Sequence, residues 1–177
     1  MSGLFTRNRV IGLVFAAFIA IVDQAIKAYV TVTLGINQIG DKMDLLPFFD
    51  LTYTENRGIS LGMLQATNME MRWLLVLMTA VIALVVFVWM LREKLMGDIL
   101  GLAMILGGAI GNIYDRYTYG YVIDFADFHI GDFRPFLIFN VADAAITIGV
   151  VIILARSLFL SEKDDNEMDA SGVPSEN

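Results

Sequence analysis

Cysteine is absent from the chain, and histidine occurs once, at position 129. Without cysteine there are no disulfides, thiolate metal sites, thiol nucleophiles or lipidated thiols. One histidine rules against a histidine-based metal centre, and a Ser-His triad is equally implausible. Charge is also scarce: 18% of residues are Asp, Glu, Lys or Arg, where a soluble domain carries about a quarter. Only 12 residues are basic, too few to form a surface that neutralises phosphates, so nucleic-acid binding is excluded. The net charge of −7 is concentrated in the tail. Residues 162–177 hold six acids against Lys163, a net of −5, which leaves −2 for the rest. Any chemistry must run on carboxylates, amides, hydroxyls, lysine or arginine.

What the chain has instead is hydrophobic residues, 57% of its 177, gathered in runs. Runs of this kind predict an all-α membrane protein, and the length allows one domain. Residues 73–91 form nineteen positions without a charge, bracketed by Arg72 and Arg92. At 1.5 Å per residue they reach about 28 Å, the thickness of a hydrocarbon core. Three further spans are expected at about residues 10–30, 99–114 and 136–160, giving a transmembrane domain over residues 1–160. The first is no cleavable signal peptide, because it lacks a small-residue cleavage site and runs on into Asp23, Gln24 and Lys27. Residues 161–177 read as an acidic disordered tail. Residues 48–54 suggest a short strand in the first long connection. In the second, Gly120 and Gly131 mark turns, among aromatic residues suited to a membrane interface.

Four spans put both termini on one side, and the density of Lys and Arg next to the helix ends puts that side in the cytoplasm. Asp23 comes after thirteen apolar residues of the first span, about 20 Å along it. Asn112 and Asp115 lie at the far end of the third span, and Asn140 and Asp143 near the start of the fourth. All of these land at the membrane face opposite the termini.

Charges within a bilayer are costly and face the bundle interior. Asp23 and Lys27, four apart in acid-before-base order, are expected to form an ion pair. Asp115 is expected to pair with its neighbour Arg116. Ala103, Gly107 and Gly111 form a small-residue stripe for close helix packing. His129 reads as a surface or interface residue. Asp124 and Asp143 stand apart, because each sits among apolar residues with no basic residue within four positions. Two such carboxyls on one membrane face could form an acid–base dyad. A proton or ion pathway, or a metal-phosphate site, would use the same residues.

Four blocks bear on this choice: Asp23-Gln24-Ala25-Ile26-Lys27; Glu55-Asn56-Arg57-Gly58-Ile59-Ser60-Leu61-Gly62; the stretch from Gly107 to Arg116 followed by Gly120-Tyr121-Val122-Ile123-Asp124-Phe125; and Phe139-Asn140-Val141-Ala142-Asp143-Ala144. In this order, over about residues 10–155, they resemble the lipoprotein signal peptidases (signal peptidase II), bacterial membrane aspartyl proteases. The resemblance implies that Asp124 and Asp143 are catalytic. It implies that Asn56, Gly58, Asn112, Arg116 and Asn140 are polar positions around the site, and that Asp23 and Lys27 are the first-span motif. It further implies four transmembrane helices with a small β cradle and a short amphipathic helix on the outer face, and no metal or cofactor. The implied substrate is a diacylglyceryl-modified prolipoprotein cut just before its lipidated cysteine, and the implied inhibitors are cyclic depsipeptides such as globomycin. The expected partners are these prolipoproteins and membrane lipids, with the enzyme acting as a monomer in the bacterial inner membrane. A proton- or ion-coupled transporter is the main rival. It would spread polar residues through the membrane depth, whereas here they gather at one face and the second span is wholly apolar.

Overall fold

The computed structural model describes residues 6–58 and 69–170. Residues 59–62 of the second block and 171–177 of the tail lie outside the described residues. Among the described residues, four helices are long and apolar enough to cross a membrane: α1 (Arg7–Ala28), α2 (Met69–Arg92), α3 (Met96–Thr118) and α4 (Val141–Ala170). A three-stranded antiparallel sheet, ordered β1 (Lys42–Leu46), β2 (Phe49–Asn56), β3 (Val122–Phe128), fills the two long connections. The short amphipathic helix implied by the family resemblance is not seen among the described residues.

Helix α3 is the central element and packs against the other three. Its glycines make this possible, because a side chain at each would strike a neighbouring helix. A Cβ on Gly107 would lie 2.5 Å from the Ala16 carbonyl of α1, and one on Gly108 would collide with the Ala142 carbonyl of α4. The small-residue stripe is therefore a packing surface, as expected. Ala16, Ala83, Val86, Met90, Ile99, Leu102, Ala103 and Leu106 form the apolar core of α1, α2 and α3. On α2, the large side chains of Leu74, Leu77, Val81, Ile82, Leu84 and Val85 remain exposed, as suits a helix solvated by lipid.

Helix α1 ends in a π-helical turn, Tyr29–Thr33, in which the Leu34 N–H donates to the Tyr29 carbonyl at 3.0 Å. This turn and the sheet share a second core of Val30, Ile36, Leu51, Tyr53, Ile123, Phe125 and Ala126. Gly120, at φ +89°, ends α3 and turns the chain directly into β3.

Besides shifts of up to four residues at the ends of the first three helices, three features differ from the sequence expectation. The strand expected at 48–54 is β2, and it lies between two further strands. The fourth helix begins at Val141 rather than 136, because Phe139 pairs with Ala126 of β3 and holds the preceding segment extended. Finally, α4 continues to Ala170, although residues 161–170 were expected in the disordered tail. Extending a helix that already exists costs far less than starting one, so a polar segment continues it.

Candidate active site

The polar residues of α1, α3, β3 and α4 meet at one end of the bundle. At the other end, the Arg9 guanidinium donates to the Glu93 carbonyl at 3.2 Å, and Arg156 pairs with Asp98 at 2.6 Å. The gathering at one face that the sequence suggested is present, and it brings Asp124 and Asp143 together.

Asp143 is placed by the start of α4. Asn140 caps this helix: its Oδ1 accepts the Asp143 N–H at 2.9 Å, and Asp143 Oδ2 faces the Asn140 N–H at 3.4 Å. This reciprocal arrangement is a capping box with Asp at its third helical position. It puts a carboxylate where the helix N-terminus favours negative charge. Asp143 is half-buried. It borders a groove of about 340 Å³ lined by Phe136, Leu137, Phe139, Ala144, Thr147 and Ile148.

Asp124 is placed by β3, opposite Thr54 of β2. Only 2% of it is exposed. Asn140 Nδ2 donates to Asp124 Oδ1 at 2.6 Å, and also approaches Asn112 Oδ1 and the Ile123 carbonyl at 3.2 Å. Asn112 Nδ2 donates to Asp143 Oδ1 at 2.8 Å. Two amides thus connect the two carboxyls. Burial, and then the charge of Asp143, push the Asp124 carboxyl up to about 7, against hydrogen bonds from Asn56 and Asn140 and the more distant charge of Lys27.

Arg116 and the end of β2 form the rim. Arg116 Nη2 donates to the Gly58 carbonyl at 3.1 Å, and its guanidinium interacts electrostatically with Asp143, Asp124 and Asp115. Asn56 Oδ1 accepts the Gly58 N–H at 3.2 Å. The expected Asp115–Arg116 pair is not formed. Consecutive residues point about 100° apart on a helix, so Asp115 faces the interior while Arg116 faces the β2 loop. The partner of Asp115 is Lys27, at 2.7 Å, and Lys27 also pairs with Asp23 at 2.7 Å. Asp23 and Asp115 are fully buried, and Lys27 is 2% exposed. Gln24, present in the first block but given no role from sequence, joins them through Asp115 Oδ1 at 2.8 Å. An amide beside two intramembrane charges was the available signal.

His129 is not a plain surface residue. Its Nε2 lies 2.7 Å from Asp50 Oδ2, and Lys42 reaches the same oxygen at 2.8 Å. This cluster is built from β1, β2 and the end of β3 and is separate from the Asp124–Asp143 pair.

The family model described as Signal peptidase (SPase) II matches residues 15–159. The protein named lipoprotein signal peptidase from Sphingopyxis alaskensis is 55% identical over 152 residues, 86% of this chain and 87% of that one. Its namesake from Rhizorhabdus wittichii is 46% identical over 162 residues, 92% and 94% of the two chains. A solved structure described as a bacterial membrane enzyme, at 2.3 Å resolution, superposes with a TM-score of 0.71 at 27% identity, covering 94% of this chain and 93% of that one.

Proposed function

The chain belongs to the signal peptidase II family, and on that premise we propose that it is an aspartic endopeptidase using Asp124 and Asp143 to remove signal peptides from diacylglyceryl-modified prolipoproteins. The observation that carries this reading is the amide bridge between Asp124 and Asp143, in which Asn140 and Asn112 hold two carboxyls of different environment at one site. Asp124, buried and titrating near neutrality, holds the shared proton. Asp143, at the start of α4, acts as the base.

In the reaction, Asp143 takes a proton from water as the water oxygen attacks the scissile carbonyl carbon. Asp124 gives its proton to the carbonyl oxygen, forming a tetrahedral diol. Collapse of the diol breaks the C–N bond, returns the hydroxyl proton to Asp124 and delivers the proton on Asp143 to the leaving amine. The free carboxyl end of the signal peptide and the amino group of the lipidated cysteine are the products. Asn56, Gly58, Asn112, Arg116 and Asn140 hold the carboxyls and the substrate backbone, with no metal or cofactor. The apolar groove beside Asp143 suits a substrate whose lipid stays in the leaflet while its peptide bond reaches the carboxyls.

In this proposal the site lies at the outer face of the inner membrane, both termini are cytoplasmic, and the enzyme acts as a monomer. Cyclic depsipeptides of the globomycin class are the expected inhibitors. Cleavage of a synthetic lipidated prolipopeptide tests the reading. Asp124→Asn and Asp143→Asn should each abolish turnover in folded protein, and the double variant should be no worse than either single. Chelator should leave the wild type active. Cleavage should fall at low pH as the base is protonated and at high pH, above about 7, as Asp124 loses its proton. Substantial activity in either single variant, or loss of wild-type cleavage on chelation, would exclude the dyad.

A further inference from the structure

Three charged groups lie buried behind the site and take no part in the steps above. Lys27 Nζ stands 2.7 Å from Asp23 Oδ2 and 2.7 Å from Asp115 Oδ2. Each of these carboxylates has a second contact. Asp23 Oδ1 accepts the Ala142 N–H at 2.9 Å, and Asp115 Oδ2 accepts the Ile123 N–H at 3.1 Å. Ala142 immediately precedes Asp143, and Ile123 immediately precedes Asp124. Gln24 Nε2 ties the two acids together again, at 3.1 Å from Asp23 and 2.8 Å from Asp115.

We propose that Lys27 is a positioning residue for both aspartates at once: through Asp23 and Asp115 it holds the backbone amide just before each, and so sets the separation of the dyad. This rests on the dyad proposed above. Asp143 and Asp124 belong to different elements, a helix and a strand, and no backbone hydrogen bond links Asp143 itself to β3 among the described residues. The paired Phe139 fixes the chain four residues before Asp143, and the amides of Asn112 and Asn140 join the two side chains. The ammonium adds a tie through the two main chains, and a short ion pair resists stretching in a medium of low dielectric. Misplacing reacting groups by about 1 Å can cost about 10²-fold in rate, so the loss of this tie should appear in kcat.

The site also senses the ammonium electrostatically, since its charge favours the ionised form of Asp124. The charged and titratable groups around this system are Asp23 on α1, Asp115 and Arg116 on α3, Tyr119 at the end of α3, Asp124 on β3 and Asp143 on α4. Replacing Lys27 by a neutral residue leaves only Arg116 as a cation among them, and the proton on Asp124 should be held to higher pH.

The test uses full-length Lys27→Met, Lys27→Arg and Gly111→Ala enzymes, assayed with a lipidated prolipopeptide across pH after their thermal transitions show them folded. Lys27→Met should lower kcat by about 10²-fold with little change in KM, and move the alkaline limb upward. Lys27→Arg should restore the limb. A Cβ on Gly111 would lie 2.6 Å from Asp23 Oδ2, so Gly111→Ala displaces that carboxylate without removing a charge. It should lower kcat with the limb in place. A folded Lys27→Met enzyme with wild-type kcat, or one whose loss lies in KM with an unmoved limb, overturns the inference. Should Lys27→Met fail to fold, wild-type kcat in Gly111→Ala overturns it. Retained activity in Asp124→Asn would instead remove the dyad on which the inference stands.

Discussion

Asn140 holds Asp124 and Asp143 through different atoms of one residue: its Nδ2 donates to Asp124 Oδ1 at 2.6 Å, while its Oδ1 accepts the Asp143 N–H at 2.9 Å. The amide is suited to this because it carries a donor and an acceptor on one planar group. Replacing Asn140 by Ala should therefore act twice. Loss of the cap should cost about 1 kcal/mol of stability. Loss of the donor to Asp124 should remove about 1.5–3 kcal/mol if the interaction is made to a charged group in the transition state, or about 10–100-fold in kcat. Asn140→Asp keeps the cap but puts a third acid beside Asp124. It should melt near the wild type and still be nearly inactive. Thermal melts and steady-state kinetics on both variants separate the two roles.

Much of this site is legible from the sequence, because the fixed rise of a helix converts residue number into depth. Counting along the spans puts Asp23, Asn112, Asp115, Asn140 and Asp143 at one face, and the structure brings them together there. What the count leaves out is direction around the helix and pairing across the sheet. Asp115 has a cation beside it in sequence, yet pairs with Lys27, eighty-eight positions away. The start of α4 at Val141 depends on Phe139 meeting Ala126, a contact with no local signature. The same holds for His129 and Asp50, which β-sheet pairing brings within 2.7 Å. Asp124 was conspicuous as an acid among apolar residues, but its contact with Asn140 became visible only in three dimensions.

The contact of α3 with α4 should be intolerant of a single methyl group. A Cβ on Gly108 would collide with the Ala142 carbonyl and lie 2.8 Å from Ile146 Cγ1. The carbonyl belongs to the first turn of α4 and cannot rotate away. Gly108→Ala should cost about 1–3 kcal/mol and shift the helix that carries Asp143. Both the melting temperature and kcat should fall. A variant with wild-type melting and turnover would show that α4 adjusts freely.

Truncation after Ser161 should leave cleavage within about twofold of wild type. The removed residues include the last helical segment of α4, 162–170, and carry a net charge of −5 through residue 177. They follow the membrane-spanning part of α4, which ends at Phe159, whereas Asp143 lies in its first turn. Helix α4 is 30 residues long, and at 1.5 Å per residue the cut lies about 27 Å from Asp143. A charge at that distance is screened well beyond one Debye length. Initial rates on truncated and full-length enzyme at equal folded concentration provide the measurement.

The buried acid of the dyad should weaken the fold at the pH where the enzyme works. Asp124 titrates at about 7 in the folded protein, against roughly 3.9 for an unfolded aspartate. Between these values the native state binds more protons than the unfolded state. Stability therefore falls as pH rises through this window, is highest below about 4, and levels off above about 7. Three pH units at 1.36 kcal/mol each set an upper bound of about 4 kcal/mol on the loss. Asp124→Asn cannot ionise, and its side-chain oxygen still accepts one hydrogen bond from Asn140 or Asn56. The variant should melt close to the wild type at pH 4 and above it at pH 8, by up to about 4 kcal/mol in unfolding free energy, while having no turnover at either pH. Asp143→Asn should show no such gain at pH 8. Asp143 is half-buried, and its carboxylate forms part of the helix cap, so the substitution loses a favourable interaction. Melting temperatures of wild type and the two variants at pH 4 and pH 8 in one detergent decide this. Equal melting of wild type and Asp124→Asn at pH 8 would mean that ionising Asp124 costs the fold nothing, and would remove the raised titration on which its role as the acid rests.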